Sequence, residues 1–352
     1  MKNRINAMRY FYLIILIPLI ASCDNRSYFA FENQYEVDSF PNIIIPHDPD
    51  TLDIDAIGIQ GIKVFDDFIL LSDMKEDGVL SLYDKSEGTL IGTFLRQGNG
   101  PYEIVFQPFI SWLSFYSEES ASIGLYDFKG TYMQRSIVSD NGSWQVLSDS
   151  LDISGGARYF RIDDDRLFCR KINASHDGYE RHLFDINERR YFCSESMRHL
   201  NQFSSEDMNN LATMVLYNEQ NNIVVEFGSR MNVIHLYSLD DVSGLTLTIG
   251  KLHPLDKVEV LPDSEMPKSY YDGKTYQEFF AGLYLGTTME NLNTGQYPFP
   301  HIHIFDYEGN PKADIQLSVR TQFFDIDVHD NKLYVVDAES EKVLRYDMNG
   351  SI

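Results

Sequence analysis

An aromatic residue followed closely by aspartate and a turn residue returns six times along this 352-residue chain. Tyr83-Asp84 precedes Gly88, Tyr126-Asp127 precedes Gly130, Phe184-Asp185 precedes Asn187, Tyr237 precedes Asp240 and Gly244, Phe305-Asp306 precedes Gly309, and Tyr346-Asp347 precedes Gly350. The carboxylate accepts hydrogen bonds from the backbone just ahead of it and glycine supplies positive φ, so each copy predicts a hairpin between two antiparallel strands. Several copies have a second strand upstream with its own terminal acid, as in 68–73 and 332–337. The copies stand 43, 58, 53, 68 and 41 residues apart. Four-stranded units repeated at roughly 40–45 residues mark propeller blades, and longer spacings read as inserted loops. The expected fold is all-β, a six-bladed β-propeller of four-stranded antiparallel blades. The last unit has three evident strands, so the N-terminal segment 36–45 is expected to supply the fourth and close the ring, hiding sheet edges. A sandwich or a pair of barrels is the competing reading, which the six matched turns disfavour.

The first 22 residues carry Lys2, Arg4 and Arg9, an apolar run over 10–19, and the small residues Ala21 and Ser22 directly before Cys23. A charged start, an apolar centre and small residues at the end form an export signal. The run is shorter than the roughly twenty residues a membrane-spanning helix needs. Ile20-Ala21-Ser22-Cys23 resembles the lipobox of bacterial lipoproteins, which implies cleavage before Cys23 and acylation of its thiol. Several acyl chains on one cysteine, at about 0.8 kcal/mol per buried methylene, hold a protein stably to a bilayer. The expected organisation is a signal peptide over 1–22, a tether over 23–35 and a propeller over 36–352. The expected place is the bacterial cell envelope, on the periplasmic or outer-surface side, with membrane contact through the lipid alone.

Acidic residues number 53 against 29 Lys and Arg, a formal charge of −24 that becomes −27 without the three basic residues of the signal. Such a field disfavours nucleic acid and anionic head groups as partners. Beyond Cys23 the chain has two cysteines, Cys169 and Cys193. Strands over 166–171, 181–185 and 190–194, paired in order, put a whole strand between them. Two spacings of about 4.7–4.9 Å exceed disulfide reach, so free thiols are expected even in an oxidising compartment.

Two connections stand out. Ser205-Glu206-Asp207 reads as the cap of a short helix within 205–216. Residues 253–276 are polar, contain proline and end in Tyr270, Tyr271 and Tyr276; they are expected to form a long ordered loop, where a rigid scaffold usually carries function.

Gly98-Asn99-Gly100-Pro101-Tyr102-Glu103 resembles the Gly-x-Gly-Pro-x-Glu turn of NHL-type and TolB-like six-bladed propellers. Residues 280–286 resemble a Leu-Tyr-x-Gly strand of the TolB-like lipoproteins of Bacteroidota, and 324–328 with 333–337 are similar to the repeat unit of that superfamily. The resemblance spans the mature chain. It implies a six-bladed propeller on an exported lipoprotein and brings no agreed activity with it.

The sequence holds no Gly-x-Ser-x-Gly elbow, no His-Glu-x-x-His helix and no phosphate loop. Ser72-Asp73-Met74-Lys75 has the Ser-x-x-Lys spacing but ends a predicted strand instead of opening a helix. Asp53-x-Asp55 and Asp325-x-Asp327 each put two carboxylates on one strand face. Six-bladed lactonases hold calcium in the channel through oxygen ligands, which makes Asp55 and Asp327 candidate calcium ligands, against the plainer role of turn caps. His301-x-His303 puts two imidazoles on one face, a spacing some zinc sites use, with no third ligand nearby in sequence. Asp163-Asp164-Asp165 reads as a solvated turn.

These features support a non-enzymatic binding module for an envelope protein, peptide or glycan, with no resident cofactor. Arg96, Tyr102, Glu103, Tyr270, Tyr271 and Tyr276 are its candidate binding surface, because Tyr and Arg combine contact area with hydrogen bonding. A calcium-dependent lactonase or hydrolase is the rival reading, and a structural subunit of an envelope complex is the third.

Overall fold

Middle strands of this chain are apolar at consecutive positions, and they are buried that way: Ile69, Leu70 and Leu71, Val224 and Val225, and Leu333 to Val336 are all inaccessible. Successive side chains of a strand point to opposite faces. Both faces of each such sheet are therefore covered, which a two-layer sandwich does not achieve.

The computed structural model describes residues 31–348 apart from 32, 76–77, 99, 101–102, 106, 118–119, 127–131, 141–142, 154–157, 194–196, 198, 202–203, 206, 241–242 and 252–254. Among the described residues, 26 strands form six sheets, each a blade of mostly antiparallel strands. Blade 1 holds β4 (Gly61–Phe65), β5 (Phe68–Lys75), β6 (Gly78–Asp84) and β7 (Leu90–Phe94). Blade 2 holds β8 (Phe109–Ser117), β9 (Ser120–Tyr126), β10 (Tyr132–Asp140) and β11 (Ser143–Ile153). Blade 3 holds β12 (Arg158–Arg161), β13 (Arg166–Ile172), β14 (Tyr179–Asp185) and β15 (Arg190–Phe192). Blade 4 holds β16 (Thr213–Asn218), β17 (Ile223–Gly228), β18 (Val233–Ser238) and β19 (Gly244–Ile249). Blade 5 holds β20 (Pro267–Thr275), β21 (Phe279–Thr288), β22 (His301–Asp306) and β23 (Pro311–Gln316). Blade 6 holds β24 (Thr321–Asp327), β25 (Lys332–Asp337) and β26 (Val343–Asp347).

Alternate residues of one strand enter different interfaces. Leu70 packs with Ile123 and Leu125 of blade 2, whereas Ile69 and Leu71 pack with Tyr334 and Val336 of blade 6. Val224 joins Phe168 and Leu183 of blade 3, and Val225 joins Phe280 and Phe305 of blade 5. Further clusters join Ile153 to blade 3 and blade 5 to blade 6. Among the described residues every neighbouring pair of blades, including the sixth and the first, shares an apolar cluster, and the sheets stand in a ring.

The N-terminal segment departs from expectation. It does not add 36–45 to blade 6. β1 (Asn33–Val37) runs parallel to β19 on the outer edge of blade 4, and β2 (Ile43–Ile44) runs parallel to β23 on blade 5. The fourth strand of blade 6 is the two-residue β3 (Asp50–Thr51), antiparallel to β26. Among the described residues the first strand begins at Asn33, and Phe31 is buried against blade 4.

The aspartates close turns as their chemistry requires. Asp84 Oδ1 accepts from the amides of Ser86 and Glu87, both at 2.8 Å, and Asp306 Oδ1 from those of Glu308 and Asn310 at 3.1 and 2.8 Å. In the fourth unit Ser238 takes this place, its Oγ accepting from the Asp240 amide at 3.1 Å. The second unit is out of phase, because Tyr126 ends the second strand of its blade and Asp140 ends the third. The strand order of blade 3 puts β14 between the two cysteine-bearing segments, and Cys169 and Cys193 form no disulfide. The helix expected within 205–216 is one 3₁₀ turn, Met208–Leu211, capped by Asp207, before β16 begins at Thr213.

Blades 3 and 4 are also joined by a buried ion pair. Arg181 of β14 meets Glu226 of β17 with Nε–Oε1 at 2.6 Å and Nη2–Oε2 at 2.7 Å, and the carboxylate also accepts from Tyr237 Oη at 2.6 Å and Thr213 Oγ1 at 2.7 Å. Burial alone would raise the Glu226 pKa, but Arg181 and these donors hold it far below the usual carboxylate range. Burial pushes the neighbouring His235 imidazole down to about 4, so it stays neutral beside the pair. Removing one member leaves the other buried and uncompensated, at a cost of about 3–5 kcal/mol. Glu226→Ala is accordingly expected to lower stability in urea by about that amount, and a variant unfolding at the wild-type midpoint would contradict this role.

Candidate binding site in the axial channel

A propeller's first strands have no strand partner on their inner side, so their outward-pointing groups line the axis. Here all six first strands line one cavity of 470 Å³, from Gly61–Lys63 of β4 and Phe109 of β8 to Phe160 of β12, Met214–Tyr217 of β16, Tyr271–Thr275 of β20 and Phe323 of β24. Its wall is mixed. Aromatic faces come from Phe109 stacked on Tyr126 at 5.2 Å, and from Tyr271 set edge-on to Phe323 at 5.9 Å. Cationic groups come from Lys63, Arg161, Lys268 and Lys274. Lys268 Nζ sits 5.1 Å from the centre of the Tyr271 ring, within cation–π range.

The unpaired amides of these inner strands are satisfied by carboxylates from the preceding blade. Asp272 of β20 accepts from the Phe324 amide of β24 at 3.2 Å, and Asp325 of β24 accepts from the Val64 amide of β4 at 2.8 Å. Lys274 and Lys63 balance the two charges at 3.1 and 3.5 Å. Burial raises the pKa of Asp272 against the opposing pull of Lys274. Burial, and then the Asp325 carboxylate, push the Tyr276 phenol far upward, so it remains a neutral donor.

The expected binding residues scatter. Residues 253–276 are not one loop: Leu255–Val258 and Asp263–Glu265 are single helical turns, and Pro267–Thr275 is the first strand of blade 5. Tyr271 faces the channel from that strand, and Tyr270, on its other face, is 1% exposed with its Oη 2.9 Å from His303 Nδ1. Tyr276 Oη donates to Asp325 at 2.8 Å and accepts from the Ile326 amide at 2.9 Å, bolting blade 5 to blade 6. Arg96 and Glu103 lie exposed between β7 and β8, where Glu103 folds back to accept from the Gly100 amide at 2.7 Å. A Cβ on Gly98 would sit 2.0 Å from that carboxylate, so a side chain there would displace Glu103 from the turn. Tyr102 and Cys23 lie outside the described residues.

The calcium candidates do not share an element. Asp55 is exposed on the segment after β3, while Asp327 is buried and bonded to Lys85 of blade 1 at 2.6 Å and to the amides of His329 and Asp330. Asp327 is thus another interblade clasp. Asp163-Asp164-Asp165 forms the β12–β13 turn, with Asp163 paired to Arg166 at 2.6 Å.

Sequence reading missed Lys63, Phe109, Lys268 and Phe323. The repeated motif marks third strands in every unit but the second, and nothing equivalent marks first ones.

No family model and no curated protein sequence matches the chain. Among solved structures it is similar to a Bacteroides fragilis protein described as exported, at 11% identity and a TM-score of 0.50, over 89% of this chain and 98% of that one. It is also similar to the extracellular domain of a hybrid two-component system of Bacteroides thetaiotaomicron, at 8% identity and a TM-score of 0.43, over 84% of this chain and 34% of that one. At such identities the likeness is one of fold.

Tyr276→Phe removes one hydroxyl that serves two buried partners. It is expected to cost about 1–3 kcal/mol in urea unfolding, with no change in secondary structure by circular dichroism.

Proposed function

We propose that this protein is an exported, lipid-anchored propeller that binds a peptide or glycan segment of an envelope partner in its axial channel. The observation that carries the reading is the channel wall, where aromatic faces stand beside lysine and arginine groups in a cavity of 470 Å³. Tyrosine and arginine are among the residue types that dominate binding energy at such surfaces, and the Lys268 ammonium, a donor alone, favours ligands with carboxylate or hydroxyl oxygens. Export is supported by the sequence over 1–22 and by the exported Bacteroides fragilis neighbour. The TolB-like and NHL-like resemblance of 98–103 and 280–286 agrees with a binding role, since it brings no agreed catalytic set.

Screening the purified protein on peptide and glycan arrays is expected to yield ligands whose affinity falls tenfold or more in Tyr271→Ala, about 1.4 kcal/mol or more. Ligands captured equally by wild type, Tyr271→Ala and Lys268→Ala would place binding elsewhere. For the anchor, labelled palmitate is expected to mark wild type and not Cys23→Ala, with the variant moving from the membrane to the soluble fraction. Unlabelled wild type would remove the lipid from the proposal.

A further inference from the structure

Strand spacing alone puts His301 and His303 on one face of β22, and the register of blade 5 adds a third group. His303 lies opposite Asp314 of β23. One nitrogen from each imidazole and one Asp314 oxygen lie within 4.8 Å of one another. His301 Nδ1 is 2.9 Å from Asp314 Oδ1, and His303 Nε2 is 3.9 Å from the same oxygen. A tetrahedral ion with bonds of about 2.0–2.1 Å spaces its ligand atoms about 3.3 Å apart, between these two separations.

His303 is held as a ligand would be. Its ring stacks with those of Tyr284 at 4.9 Å and Phe40 at 4.6 Å, tilted by 23° and 29°. Tyr270 Oη stands 2.9 Å from Nδ1. With the proton on Nδ1 donating to that phenol oxygen, Nε2 turns a bare lone pair toward Asp314. The opposite tautomer leaves an Nε2–H whose carboxylate neighbour at 3.9 Å is too far for a hydrogen bond. Asp314 is oriented in turn by Gln316 Nε2, which donates to Oδ2 at 3.0 Å, and by its own amide, which donates to the Asn42 carbonyl at 2.9 Å. Partners of this kind orient metal-ligating histidines and carboxylates. His303 and Asp314 are buried while the His301 side chain is 40% exposed, which gives an ion its way in.

The geometry points to a site for one borderline divalent ion, zinc by its two-nitrogen, one-oxygen donor set, held by His301 Nδ1, His303 Nε2 and Asp314 Oδ1 in the crevice between blades 4 and 5 beneath Phe40. Water on the His301 side completes the coordination. Phe40, which covers the His303 ring, belongs to the segment joining β1 to β2. The site is separate from the channel and does not depend on what the channel binds.

The mature chain, stripped with chelator, is titrated with Zn²⁺ alone by calorimetry and with Co²⁺ as an absorbing substitute. One Zn²⁺ per chain is expected, with the Co²⁺ ligand-field bands of a four- or five-coordinate site. His301→Ala, at the exposed position, is expected to keep the fold by circular dichroism and to weaken Zn²⁺ at least tenfold. Tyr270→Phe, which removes the outer partner alone, is expected to weaken it by about tenfold. Absence of stoichiometric binding by wild type, or unchanged affinity in either variant, overturns the site and leaves His301 and Asp314 as a hydrogen-bonded clasp.

Discussion

Each blade is apolar on both faces, and that condition governs the rest of the molecule. A sheet with Leu70 buried on one side and Leu71 on the other cannot fold against a single partner. Stacking identical solutions face to face leaves an uncovered sheet at each end unless the stack returns on itself, and the cluster of Ile69, Leu71, Tyr334 and Val336 is that return. The same condition makes the channel. First strands converge at the axis where no further strand fits, so groups that would elsewhere join a ladder are left facing a shared cavity.

Apolar stacking alone sets no rotation of one blade against the next, since it is non-directional. The buried carboxylates do. Asp272 to the Phe324 amide and Asp325 to the Val64 amide repeat one bond at two successive interfaces, each from a first strand to the backbone of the following one. A backbone amide has one position and one direction, so these bonds specify how far each blade is turned. Glu226 does the equivalent between blades 3 and 4 through side chains, with Arg181 delivering a two-point contact that fixes orientation as well as distance. The acidity of the chain is therefore not wholly a matter of its solvated surface.

The blade count and all-β class were legible because turn chemistry is local: an aspartate two to four residues before its amide partner shows itself in sequence. Where another residue performs the same chemistry, as Ser238 does for the fourth unit, the pattern weakens although the structure does not. The second unit was misphased for a related reason, since Tyr126-Asp127 satisfies the pattern at the end of β9, one strand early. The site was less legible. Tyr270, Tyr271 and Tyr276 looked like a loop cluster because the polar, proline-bearing stretch before them shows no strand period, yet β20 puts Tyr271 toward the channel and Tyr270 toward His303. Asp314 was invisible beside His301 and His303 because its proximity arises from strand register, which sequence separation does not encode.

The path of the N-terminal segment was also hidden, for an energetic reason. Residues 33–51 contribute strands of five, two and two residues to three different blades, too short for any of them to show a period. They act together by crossing edges. Each pairing caps an outer strand that would otherwise expose a row of amides and carbonyls, and the segment spends one chain on three such edges. Its start also bears on the proposed anchor. With Phe31 already buried against blade 4, eight residue steps separate it from Cys23, at most about 28 Å when fully extended. A lipid on Cys23 would hold the ring by the outer edge of blade 4, not by an end of its channel.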